Sequence, residues 1–192
     1  MLTLAHTLWP AQSSSARTAR NVLLALVGTL ALTVSAKTQI PFWPIPMTMQ
    51  TFVVLVIGMA YGSRLGAATV ALYLLQGALG LPVFAGTPEK GVGLAYMMGP
   101  TGGYLLGFLV AAWVCGWLAE RGFDRSPLKS LIAMSVGHGL IFVFGVAWLA
   151  TLMGVEKAFM VGVAPFWAAT LVKTLLGVAT LPLAWKWLGK LK

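Results

Sequence analysis

LKSLIAMSVGHGLIFVFGVAWLATL, residues 128–152, runs for 25 residues with one charged side chain, Lys129, near its start. At about 1.5 Å of rise per residue, such a helix crosses the roughly 30 Å hydrocarbon core of a bilayer with some tilt. Moving outward from it, the rest of the chain has the same character. Of 192 residues, 59% are hydrophobic and 9% charged, with a mean hydropathy of +0.88. Soluble domains carry about 25% charged residues. The sequence therefore predicts an all-α, polytopic integral membrane protein, and its length leaves little for a soluble module.

Six transmembrane helices are predicted, at 20–36, 48–62, 65–80, 101–119, 128–152 and 162–186. The formal charge of +9 does not mark a nucleic-acid binder, because the bases form no patch and fall in short clusters between apolar spans. With the N-terminus inside, Arg17, Arg20, Arg64, Arg121, Arg125, Lys129, Lys186, Lys190 and Lys192 are cytoplasmic, and Lys37, Lys90 and Lys157 lie outside. Nine bases against three is a positive-inside bias that puts both termini in the cytoplasm. The first span, with its basic flank and Val-Ser-Ala before Lys37, mimics a secretory signal, but the charge pattern balances only if it is retained. Residues 1–19 are expected to form a cytoplasmic tail, Ser-rich and frayed, and 20–192 a single six-helix membrane domain. The lone Cys115, inside the fourth span, reads as packing filler.

Two irregular segments fall on the outer face. QIPFWPIPMTMQTF (39–52) packs Pro41, Pro44 and Pro46 into six residues, and LPVFAGTPEKGVGLAYMMGP (81–100) is rich in Gly and Pro. Non-helical backbone at a membrane is tolerated where it is buried in protein or lines a cavity, so the pair predicts a cap over an outward-facing pocket.

The thirteenth base, Lys173, lies within the sixth span, eight residues after Pro165 and thirteen before Lys186. A mid-span lysine costs about 2.5–3.5 kcal/mol on insertion scales, and no span offers a carboxylate, since Glu89, Glu120, Asp124 and Glu156 are all in or beside loops. Snorkelling of its stem to the interface is the bland reading, and contact with a polar or anionic substrate group the functional one. Thr170 sits one turn earlier on the same face and either holds the same ligand or bonds back to its own helix. Thr48 and Gln50 follow the proline turn, where they either face the pocket or cap the helix. Gln76 reads as interhelical packing, and His138 as either an interhelical hydrogen-bonding group or a proton or substrate contact. In GPTGGYLLGF (99–108), Thr101 is expected to cap the fourth span and Tyr104 to stack on a flat apolar ring. This stretch has neither the lysine nor the spacing of a phosphate-binding loop, so the chain does not itself hydrolyse ATP. Small residues recur along the first span (Ala25, Thr29, Thr33 and Ala36, with Ala31 and Ser35), which lets a helix of this chain or of another subunit approach closely.

The stretches IPFWPIPMTMQTF, LYLLQGALGLPVFAG, GPTGGYLLGF, GHGLIFVFGVAWLA and PFWAATLVKTLLG, in this order, resemble the BioY family over about residues 22–187. BioY proteins are the biotin-capturing S components of energy-coupling factor vitamin transporters. The resemblance implies a multi-pass protein of the inner (plasma) membrane that binds biotin on its outer face, beneath the loop between spans one and two. It implies that the loop from Leu81, Phe84 and Gly86 included, and Lys173 on span six help form the pocket. The small residues on span one would contact a transmembrane coupling subunit that docks two ATPases. The proline turn then becomes a stiff lid and pocket wall, and Phe42, Trp43, Phe84 and Tyr104 would cover the thiophane ring while a few polar groups fix its orientation.

One departure stands out. The family pattern runs roughly P-F-L-P-G-D-L-I-K, whereas PFWAATLVK places Trp167, Ala168 and Ala169 in the L-P-G positions and Thr170 where the acid stands. Glu89, in the loop, is a candidate for the missing carboxylate. The alternative to an ATP-coupled subunit is a solitary, homo-oligomeric transporter of biotin or another small vitamin. A membrane enzyme fits poorly, because His138 is the only histidine in any span and no acid is near it in sequence. Nothing in the sequence calls for a cofactor or a metal.

Overall fold

The computed structural model describes residues 2–41 and 47–190 and is mostly helical. Each expected span is represented by a helix: α2 (Ser14–Lys37), α3 (Gln50–Tyr61), α4 (Ser63–Ala78), α6 (Gly102–Ala119), α7 (Pro127–Met153) and α9 (Trp167–Lys190). Among the described residues, α2, α6, α7 and α9 are long and apolar enough to cross a membrane. The 12 residues of α3 reach only about 18 Å.

Local chemistry sets the ends of these helices. Ser13 Oγ accepts the Ala16 N–H (3.1 Å) at the start of α2, and Ser126 Oγ accepts from Lys129 N–H (3.4 Å) before α7, whose first residue is Pro127. Between α3 and α4 the chain turns at Gly62, whose φ of +88° is open to glycine and strained for other residues. Glu120 Oε1 accepts from both the backbone N–H (2.8 Å) and the hydroxyl (2.9 Å) of Ser63, which caps α4 and ties it to the end of α6.

The connecting segments hold more structure than the sequence predicted. Gln39–Ile40 (β1) pairs antiparallel with Met47–Thr48 (β2), Gln39 opposite Thr48 and Ile40 opposite Met47. A short α5 (Gly93–Met97) lies in the second segment, and α8 (Val155–Gly162) joins α7 to α9. The N-terminal tail is not frayed. Residues Leu4–Leu8 form α1, which packs on α3 with Thr3, Leu4 and Ala5 buried. The cause is Arg20, which is 3% exposed and needs acceptors. Its guanidinium donates to Trp9 O (2.8 Å) and Asn21 Oδ1 (3.0 Å) and meets His6 Nε2 at 3.3 Å. Accordingly α2 begins at Ser14, six residues ahead of the predicted start.

Helix α6 is the hub, packed against α3, α4 and α7. Glycines make that approach close: a Cβ on Gly58 would sit 2.5 Å from Ala112 O, and one on Gly103 would lie 2.4 Å from Phe144 O. Leu55, Met59, Tyr73, Ala111, Ala112, Cys115 and Met134 fill the core, and the Cys115 thiol bonds to Ala133 O (3.3 Å). Large apolar side chains such as Leu30, Val34, Trp113, Val143 and Leu175 cover the outside, as a lipid-facing surface requires. On α2, Thr29, Ser35 and Ala36 of the small-residue stripes are buried within the chain while Ala31 is exposed, and Gly28 lies against Thr69 of α4. Gln76 Nε2 reaches Thr29 Oγ1 only at 3.5 Å.

The turn between α6 and α7 carries a buried acid, Asp124, which is fully buried. Its Oδ2 accepts the Trp185 indole N–H, which ties this turn to α9. Burial holds the Asp124 carboxyl pKa above the usual range, against the opposing pull of that hydrogen bond.

Candidate functional site

The irregular segments and the helices beside them form a cavity of about 450 Å³. Its walls come from the β1–β2 hairpin, the first turn of α3, residues 84–86, and the facing sides of α6, α7 and α9. That volume lies within the roughly 300–1,000 Å³ of small-molecule sites. Phe84, Tyr96, Tyr104, Phe108, Phe142 and Phe166 supply aromatic wall.

The segment 81–100 is held in place by a chain of contacts. Phe84 is 1% exposed, stacks on Tyr96 at 5.0 Å and meets Tyr73 edge-on at 5.4 Å. It can enter because residue 77 is glycine: a Cβ there would come within 2.0 Å of the Phe84 ring. Tyr73 OH donates to Val83 O (2.9 Å) and accepts from Gln50 Nε2 (2.8 Å), so α3 and α4 both grip the segment. Tyr96 OH donates to Ala85 O (2.8 Å). From the end of α2, Lys37 Nζ donates to Thr87 Oγ1 (2.8 Å) and to the Thr87 carbonyl.

Deeper in, Lys173 is 6% exposed and donates to Thr51 Oγ1 at 3.2 Å. No carboxylate lines the cavity among the described residues, and a second cation, the exposed Lys90, stands at its edge. A buried ammonium whose recorded partner is one neutral hydroxyl is under-compensated. The cavity thus combines an apolar, aromatic wall with positive charge and no protein anion.

Of the eight residues expected to bind the substrate, seven line this one cavity: Thr48, Gln50, Phe84, Gly86, Tyr104, Thr170 and Lys173; Thr101 and His138 line it too. The eighth, Trp43, lies outside the described residues, as do Phe42, Pro44 and Pro46. Some expected roles differ in detail. The Gln50 amide is engaged by Tyr73, so it braces the loop. Tyr104 OH donates to Gly162 O (2.9 Å) and its ring packs on Gly145, so this side chain also ties α6 to α7 and α8. Thr101 precedes α6 without a side-chain cap bond. Glu89 is exposed and does not line the cavity, so it supplies no carboxylate to it. Thr51, Phe108, Phe142 and Phe166 were not anticipated, and Lys90 and Tyr96 were read only as parts of the segment expected to cap the pocket. His138, Ile141 and Phe142 follow the i, i+3, i+4 spacing of one helix face, the signal that would have joined Phe142 to His138.

Residues 9–190, nearly the whole chain, match the BioY family. The chain belongs to the BioY family. Among BioY relatives, the probable biotin transporter BioY of Pyrococcus horikoshii is 35% identical over 81% of this chain and 90% of its own length. The biotin transporter BioY of Thermotoga maritima is 39% identical, over 80% of this chain and 89% of that protein. The fold is similar to the crystal structure of the S-component for biotin from an ECF-type ABC transporter, with a TM-score of 0.75 and 20% identity over 92% of this chain and 95% of that one.

Proposed function

We propose that the chain captures biotin in this cavity as the membrane substrate-binding subunit of a biotin uptake system in the inner (plasma) membrane. The observation that carries the reading is the buried Lys173 in an aromatic-walled cavity without a carboxylate, in a chain whose relatives are named biotin transporters. Biotin matches such a site. Its thiophane ring suits the aromatic wall, and its ureido carbonyl or carboxylate supplies the acceptor that Lys173 lacks. The two cations, one deep and one at the rim, correspond to a ligand with acceptors at both ends. Lys173 binds the deep end, Thr170 and Thr48 line its approach, and Phe84, Gly86 and Tyr104 close around the ring; Trp43 is assigned to the same site from the sequence alone.

The chain forms one membrane domain of six crossing helices with both termini in the cytoplasm. The distribution of nine bases to three supports that orientation. The short α3 crosses with the help of the β1–β2 hairpin that precedes it, since irregular backbone at membrane depth is stable where it lines a protein cavity. The chain has no phosphate-binding loop, so energy comes from partner subunits that hydrolyse ATP. The structural likeness to an S-component from an ECF-type ABC transporter is consistent with that arrangement. The chain itself performs no covalent chemistry.

The test is calorimetric binding to the purified protein in detergent, biotin against thiamine and riboflavin, for wild type and Lys173→Ala. Wild type binds biotin alone of the three, and Lys173→Ala weakens it about tenfold or more, as expected for a lost charge-assisted hydrogen bond. A wild type silent to biotin sinks the substrate assignment and leaves the fold untouched.

A further inference from the structure

One polar side chain that lines the cavity has no role in the account above. His138 on α7 lines the cavity and is 4% exposed. Its Nδ1 lies 3.1 Å from Met134 O on its own helix and 3.1 Å from Thr174 Oγ1 on α9. A carbonyl only accepts, so Nδ1 carries the proton and donates. In a neutral imidazole this leaves Nε2 as a bare acceptor, and Nε2 is buried without a partner among the described residues. Protonating the ring would add another cation near Lys173 in a cavity lined by no carboxylate among the described residues, so the neutral form is the one that fits. Buried polar atoms in folded proteins are nearly always bonded, and an orphan aimed at no protein group calls for a ligand donor.

We infer that His138 Nε2 accepts a hydrogen bond from an N–H of the ligand's ureido group, so that His138 and Lys173 together recognise that group. This rests on biotin being the ligand. Lys173 and Thr174 are consecutive on α9, and Thr174 fixes the imidazole, so the donor ammonium and the acceptor nitrogen are held by the same turn. A ureido group offers a carbonyl to the one and an N–H to the other. A carboxylate would satisfy Lys173 but set its lone pairs against Nε2, so the ureido end lies inward and the carboxylate lies toward Lys90.

The chain has two histidines, His6 and His138, so nitrogen NMR of ¹⁵N-histidine protein reports His138 alone in a His6→Gln background. On adding biotin, the Nε2 resonance moves from the position of a free acceptor toward that of a hydrogen-bonded one, while Nδ1 keeps its proton. In parallel, His138→Phe weakens biotin binding about tenfold, and His138→Gln, whose amide oxygen reaches the same place, restores part of it. A biotin analogue methylated at the ureido nitrogens is discriminated by wild type and much less by His138→Phe. Biotin binding with an unmoved Nε2 resonance, or equal discrimination by both proteins, overturns this assignment alone. Absence of biotin binding by wild type overturns it together with the assignment of the substrate.

Discussion

Lys173 and Thr170 occupy adjacent turns of α9 and both line the cavity, yet only one of them carries charge. Thr170→Asp would restore a carboxylate one turn from Lys173, within reach of ureido N–H groups and of the ammonium. The expected outcome is biotin binding tightened by about tenfold, the difference between a neutral and a charge-assisted acceptor. In that background His138→Phe should cost less than it does in wild type, because two acceptors compete for the same donors and their effects do not add. A double-mutant cycle by calorimetry measures this, and strict additivity would show that the two positions serve different ligand groups. At this scale the sequence was informative wherever a residue type conflicts with its surroundings. Lys173 was conspicuous because a mid-span cation is costly without a partner. Its bond to Thr51 was not legible, because it joins residues 122 apart and depends on how α3 meets α9. The orphaned Nε2 was likewise hidden, since a histidine's tautomer follows from its neighbours in space.

Among the elements, glycine divides into positions that set helix spacing and positions that do not. A Cβ at Gly58 would meet the Ala112 carbonyl oxygen at 2.5 Å, backbone that cannot rotate away, whereas one at Gly139 would meet nothing within 4 Å. Gly58→Ala should therefore force α3 from α6 and lower the melting temperature in detergent, with loss of monodisperse protein on gel filtration. Gly139→Ala should leave it unchanged or raise it, since alanine is favoured over glycine in a helix interior by about 0.5–1 kcal/mol. Equal behaviour of the two variants would mean that the α3–α6 approach is not what limits stability. The four long apolar helices, α2, α6, α7 and α9, were readable because hydrophobic length is a local property. The short α1, α5 and α8 were not, because each exists through a tertiary contact. In α1 the chain before the first span supplies acceptors to buried Arg20; α5 presents Tyr96 to Phe84; α8 brings Gly162 to Tyr104.

For the whole molecule, charge and cavity together predict a direction. Lys90 lines the cavity and Lys37 binds Thr87 of the segment that covers it, two of the three bases outside the majority cluster, while the α6–α7 turn carries Arg121, Arg125 and buried Asp124. A binding site on the face with few bases is the face from which an uptake system must collect its ligand. The expectation is testable with single cysteines in a Cys115→Ser background. Glu89→Cys should react with a membrane-impermeant maleimide on intact cells, and Arg121→Cys only after the membrane is opened. Both side chains are exposed, so access depends on sidedness and not on burial. Saturating biotin should slow labelling at residue 89 and leave residue 121 unaffected, because residue 89 lies in the segment that covers the cavity. Labelling at 121 from outside would invert the assignment and put the cavity on the cytoplasmic face, where capture from the medium could not begin.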